Sequence, residues 1–137
     1  MLGKDAKTKA IASVPLFARC SKRELAMIAA IADEIDLPVG KTLTKEGTPG
    51  REFFVLLDGK VVVSRDGRRR DILEGGDFLG EIALVSRSPR TATVTAETPL
   101  RVLVIRDQEF RALLERVPSI QTKVLEALAD RLAADAL

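Results

Sequence analysis

Glu81 and Arg90 stand nine positions apart in a stretch that opens Gly75-Gly76-Asp77-Phe78-Leu79-Gly80 and closes Pro89-Arg90-Thr91-Ala92-Thr93-Val94. Their types suit the capture of a small anion that also carries a hydroxyl. Residues 81–85 predict one turn of helix opened by Gly80. A helix start exposes backbone amides with no internal partner, and these, with the helix dipole, favour an anion. Gly80 has no side chain to obstruct its approach. After Pro89 the chain is expected to become extended, and a strand beginning at Arg90 would aim its guanidinium back across the loop. A guanidinium is a rigid fork of donors suited to two oxygens of one anion, whereas a carboxylate only accepts. The two groups would face one small polar ligand from two sides, and a single negative charge met in this way needs no metal. A charge pair about 4 Å apart gains roughly 1 kcal/mol in water and roughly 4 kcal/mol at an effective dielectric of about 20. Such a site therefore depends on excluding water. The alternative is an ordinary surface salt bridge between the two residues, worth at most about 1 kcal/mol.

Three zones must position this segment. The first, about residues 1–33, reads as helical, broken around Pro15. Ser21-Lys22-Arg23-Glu24 is a capping box, followed by Leu25, Ile28, Ala29 and Ala32 at helical spacing. The second, residues 34–106, reads as short strands punctuated by glycine. Asp58-Gly59 and Asp66-Gly67 each predict a tight hairpin, because glycine tolerates the positive φ of such turns. Residues 91–96 and 100–105 read as a further pair of strands with Pro99 in their turn. The third zone, residues 107–137, predicts two helices, one capped by Asp107 and one opened by Pro118. Val124, Leu125, Leu128 and Leu132 form an apolar stripe on the last, either a dimer seam or a contact with the strands. The expected fold is mainly β with flanking helices: an antiparallel jelly roll or barrel, an N-terminal helix and two C-terminal helices, in a single domain over residues 1–137.

Composition narrows the function. With 137 residues, 46% hydrophobic and 31% charged, the chain is long and apolar enough for one soluble domain with a real core. Its 22 basic and 20 acidic side chains leave a net charge of +2, too weak a field to expect nucleic acid or an anionic membrane as partner. Any anion must then be held by local groups. The absence of histidine excludes histidine triads and histidine metal sites, so neither catalytic nor metal-ligating residues are expected. The lone Cys20 cannot form an internal disulfide, which fits a reducing cytoplasm, and it reads as a small buried residue near a helix start. The longest apolar run, residues 25–32, is far short of a membrane span, and residues 1–5 lack the apolar core of a signal peptide. Arg68-Arg69-Arg70 reads as the solvated side of a hairpin.

Phe78-Leu79-Gly80-Glu81-Ile82-Ala83-Leu84, followed by Pro89-Arg90-Thr91-Ala92-Thr93-Val94, resembles the phosphate-binding cassette (residues 78–94) of cyclic nucleotide-binding domains. Such domains occur in cyclic-nucleotide-dependent kinases, ion channels and catabolite-activator-like regulators. Pro38-Val39-Gly40-Lys41-Thr42-Leu43 and Lys45-Glu46-Gly47 are similar to the family's opening strands, and Val55-Leu56-Leu57-Asp58-Gly59-Lys60-Val61 to its central hairpin. The resemblance implies that Glu81 accepts a ribose 2′-hydroxyl and that Arg90 pairs with the cyclic phosphate. It also implies that backbone amides near Gly80, Ile82 and Ala83 assist, and that Thr91 lies near the phosphate and base. A residue of the last helix would cover the base: Arg131, or Leu128 by packing. Threonine at position 91 resembles domains that accept guanine and also domains that prefer adenine. The expected ligand is cAMP, with cGMP the alternative.

The expectation is thus a cytoplasmic sensor module rather than an enzyme, with no cofactor beyond its nucleotide, that passes binding on through its closing helices. Its partners would be the nucleotide and either a second copy, across the last helix, or an effector protein; neither nucleic acid nor membrane insertion is expected. The sequence ends at Leu137, just after the last helix, so no helix-turn-helix is expected. The alternative is the N-terminal sensor part of a longer catabolite-activator-like regulator or channel, with its effector domain outside this sequence.

Overall fold

The computed structural model describes residues 4–136; residues 1–3 and Leu137 lie outside them. Helix α1 (Lys4–Ala12) leads through a 3-10 turn at Pro15–Phe17 to α2 (Lys22–Ile31). Proline has no amide to continue a helix, so the chain tightens there. The capping box forms as expected: the Glu24 amide donates to the Ser21 hydroxyl, and the Ser21 amide donates to the Glu24 carboxylate.

Eight strands follow: β1 (Asp33–Leu37), β2 (Thr42–Thr44), β3 (Glu52–Asp58), β4 (Lys60–Arg65), β5 (Arg68–Glu74), β6 (Phe78–Leu79), β7 (Thr93–Ala96) and β8 (Leu100–Arg106). A short helix, α3 (Glu81–Ser86), separates β6 from β7. The strands pair antiparallel in two four-stranded sheets, ordered β1-β8-β3-β6 and β2-β7-β4-β5. Among the described residues no ladder joins the sheets, so the jelly-roll expectation holds and the closed barrel does not.

One of the expected hairpins forms and another does not. Asp66 (φ 53°) and Gly67 (φ 74°) take the left-handed turn that joins β4 to β5, with Arg65 opposite Arg68. Asp58-Gly59 instead turns a corner from one sheet into the other, because β3 and β4 belong to different sheets. Pro99 likewise lies between β7 and β8, which also belong to different sheets. The cause lies in β3. Phe53 and Val55 pack into a core shared with the helices, while Phe54 and Leu56 pack into a core between the sheets. Covered on both faces, β3 takes β8 and β6 as its neighbours.

The helical core is closed by α4 (Asp107–Arg116) and α5 (Pro118–Ala136). Phe110 of α4 stacks on Phe53 with ring centroids 4.3 Å apart. Asp107 is not the cap expected from sequence: β8 runs straight into α4, Arg106 takes the cap position, and Asp107 accepts from Arg111 Nε at 2.6 Å one turn on. The apolar stripe of α5 divides. Val124 is buried and Leu128 half-buried against the helical core, whereas Leu125 and Leu132 are exposed.

Candidate ligand-binding site

Strand β6 delivers the chain to Gly80, whose φ of 99° is one that L side chains rarely adopt. A Cβ at Gly80 would also stand 2.9 Å from both Arg90 Nη1 and the Glu52 carbonyl oxygen. Gly80 therefore answers to the backbone angle and to the approach of Arg90 at once. Helix α3 begins at Glu81 and ends in left-handed Arg87 (φ 54°), which sends the chain back toward the start of the cassette. Arg90 does not begin a strand, as its position after Pro89 had predicted; β7 starts at Thr93. The backbone at 90 is already engaged: its amide donates to the Thr48 carbonyl at 2.8 Å and its carbonyl accepts from the Gly47 amide at 2.9 Å.

The Arg90 side chain is buried. Its Nη2 donates to the Glu52 carbonyl at 2.7 Å and its Nη1 to the Gly80 carbonyl at 3.2 Å. The Glu52 carboxylate lies 3.9 Å away, and the Phe54 ring centroid 5.9 Å from the guanidinium carbon. Burial pulls the Arg90 pKa below its ordinary value, and Glu52 opposes that fall. A guanidinium is not deprotonated in proteins, so Arg90 is a fixed cation held by carbonyls on one side.

Glu81 is fully buried, with 0% of its surface exposed. Its partner is Arg131 of α5. Arg131 Nη1 donates to both carboxylate oxygens, at 2.7 Å to Oε2, and Nη2 donates to the Phe78 carbonyl at 2.6 Å. The same guanidinium lies 5.2 Å from the centroid of the Phe78 ring. Burial lowers the Arg131 pKa, while the carboxylates of Asp77 and Asp71 act against it.

Gly80, Glu81, Ile82, Ala83, Arg90, Thr91 and Arg131 all line one cavity of about 350 Å³. The two ionisable residues first singled out thus share a recess but do not pair with each other as a surface salt bridge. Leu128, the packing alternative to Arg131, joins the helical core and lines no part of this cavity. Sequence reasoning missed the opposite wall, where β4 and β5 contribute Val63, Arg65, Arg70, Asp71 and Leu73. It also missed Gly50, where a Cβ would stand 2.9 Å from Arg90 Cζ. No local signal marks these residues, since their role comes from strand pairing and from a contact across the fold. Chemically the cavity offers guanidinium groups, two carboxylates (Glu81 and Asp71) and apolar walls. It suits a small molecule with an anionic end, a hydroxyl and a flat apolar part.

Two facing antiparallel sheets flanked by helices, with a glycine-opened helical turn beside a buried arginine, define a small-molecule-binding domain of the jelly-roll kind. The family model for the cyclic nucleotide-binding domain matches residues 34–117, and the chain belongs to that family. It is 34% identical over 112 residues to the cAMP-dependent protein kinase regulatory subunit of Emericella nidulans, covering 80% of this chain and 27% of that protein. It is 33% identical over 125 residues to human potassium/sodium hyperpolarization-activated cyclic nucleotide-gated channel 2, covering 90% of this chain and 14% of the channel. The solved structure titled "Sp-2Cl-cAMPS bound to PKAR CBD2" superposes with a TM-score of 0.73 at 29% identity, covering 93% of this chain and 95% of that one. The chain thus spans about a quarter or less of the length of these two curated relatives. Among the described residues no helix is long and apolar enough to cross a membrane.

Proposed function

We propose that this chain binds cAMP and reports the binding through α5. Arg90 takes the cyclic phosphate, Glu81 accepts the ribose 2′-hydroxyl, and the amides of Ile82 and Ala83 with Thr91 complete the phosphate end. One observation carries the proposal: the carboxylate meant for the ribose is held by Arg131 of the last helix. Ribose and helix then compete for one acceptor. A ligand that takes Glu81 releases Arg131 to turn toward the base and shifts α5 toward a second position that the free protein already samples. The shift can be no larger than the ligand's difference in affinity for the two positions.

On this reading the chain is a regulatory module with no reaction of its own, and it needs no cofactor or metal. The half-buried lone thiol of Cys20 suits a reducing cytoplasm. Exposed Leu125 and Leu132 on α5 offer a contact to a second copy or an effector protein. A second reading is favoured by coverage, since the curated relatives are several times longer than this chain. There the domain is the sensor part of a longer regulator or channel, and continuation of the reading frame past Leu137 is the observation that decides it. The central test is calorimetric titration with cAMP and cGMP in parallel. Saturable binding of both, tighter for cAMP, is expected; the absence of binding heat and of thermal stabilisation with either would count against the proposal.

A further inference from the structure

Asp71 lies on β5, an outer strand of the sheet β2-β7-β4-β5. It stands opposite Val63, and Leu73 stands opposite Val61. Residues two apart on a strand share a face, as do cross-strand partners. Asp71 therefore belongs to the face of Val61, Val63 and Leu73, which pack between the sheets. The register then shifts: Val63 meets Asp71 but Ser64 meets Arg69, which leaves Arg70 as an extra residue on β5. A bulge of this kind re-aims side chains. Here both Arg70 and its neighbour Asp71 line the cavity, where a regular strand would send one of them outward. The wall is held in place by Arg65, whose Nε donates to the Thr91 carbonyl at 3.1 Å. Arg131 lines the same cavity as Asp71.

With Arg90 and Glu81 assigned to phosphate and ribose, the β4–β5 wall is left for the base. We infer that Asp71 reads the purine amino group, an inference that rests on the cAMP reading of this cavity. One Asp71 carboxylate oxygen already accepts from the Ile72 amide at 2.8 Å, which leaves the other for a ligand; a carboxylate accepts and does not donate. Adenine presents its exocyclic amine as a donor, and a purine without that amine leaves Asp71 unmatched. A site built around a donor discriminates against the analogue that lacks it. Asp71 is exposed to water, which dilutes the gain, so the discrimination is expected to be about five- to tenfold. An inward charge on an outer strand can also serve only to discourage edge-to-edge pairing, a role indifferent to the ligand.

The test is calorimetric titration of the full chain with cAMP and with the cyclic monophosphate of unsubstituted purine riboside, in which hydrogen replaces the amine. The expected result is a cAMP preference of about five- to tenfold in the wild type, lost in Asp71→Ala and reduced in Asp71→Asn, whose one acceptor oxygen the Ile72 amide also claims. A wild type without preference, or a preference that survives Asp71→Ala, overturns the inference. Equal weakening of both nucleotides in Asp71→Ala also overturns it and assigns Asp71 to holding Arg131. Failure of the wild type to bind either nucleotide removes the cAMP reading and this inference together, whereas the other outcomes leave that reading intact.

Discussion

The guanidinium of Arg131, near the end of the chain, closes over the carboxylate of Glu81 fifty positions earlier. The Glu81 side chain is only 1% exposed, while that of Arg131 is 31% exposed. A carboxylate sealed from water is thus balanced by a cation that still touches it. The same pair joins the cavity to α5, so on the proposed reading stability, affinity and signalling meet at one contact.

Arg131→Ala should strand the buried Glu81 charge. Breaking a fully buried pair costs about 3–5 kcal/mol, and the partial exposure of Arg131 reduces the expected loss to roughly 1–3 kcal/mol. Urea denaturation of the ligand-free protein reads this directly. An unchanged midpoint would show that Glu81 is satisfied without Arg131.

Arg90→Ala should weaken cAMP binding by about 2–5 kcal/mol, because the phosphate charge loses its buried partner. Arg90→Lys keeps the charge but loses the fork that reaches both the Gly80 and Glu52 carbonyls, so it should recover only part of the loss. Calorimetry on the two variants checks both statements. Wild-type affinity in Arg90→Ala would remove Arg90 from the site.

Gly50→Ala places a Cβ 2.9 Å from Arg90 Cζ and Ala83 Cβ. Overpacking of this kind costs about 1–3 kcal/mol. Because Arg90 is the group displaced, weaker cAMP binding should accompany the loss of stability. A variant that loses stability while binding cAMP as the wild type does would show that Ala83, not Arg90, yields.

Cys20 should react slowly. Burial raises its thiol pKa above the ordinary 9.0, partly offset by a hydrogen bond with Ser119. The folded chain holds this proton more tightly than the unfolded one. The associated stabilisation is therefore complete below pH 9.0 and is lost as pH rises through the folded value. Alkylation at pH 8 should be slower in the native protein than in urea. Equal rates would mean that the thiol is not protected.

Much of the architecture was legible because its signals are local. The capping box at Ser21 and Glu24, the left-handed pair Asp66-Gly67, the break at Pro15 and the start of α5 at Pro118 each act through backbone angles or amides within a few residues. The helical turn after Gly80 belongs with them. So does the family membership carried by the spacing of Gly80, Glu81 and Arg90, borne out by the match over residues 34–117.

Asp58-Gly59 marks the limit of that reasoning. Its residues predict a reversal, and the chain does turn there, but no property of the pair says which strand β3 will bind. That choice belongs to Phe53, Phe54, Val55 and Leu56, whose alternate side chains need a helical cover on one face and a second sheet on the other. Only the folded chain supplies both. Tertiary structure likewise decided that Arg131 lies on Glu81, that Gly50 makes room for Arg90, and that Asp71, opposite Val63, lines the cavity beside the bulged Arg70. The sequence determined the elements and the chemistry they carry, because those depend on neighbours along the chain. Their convergence depended on burying apolar faces of distant segments together, a condition that no local segment contains.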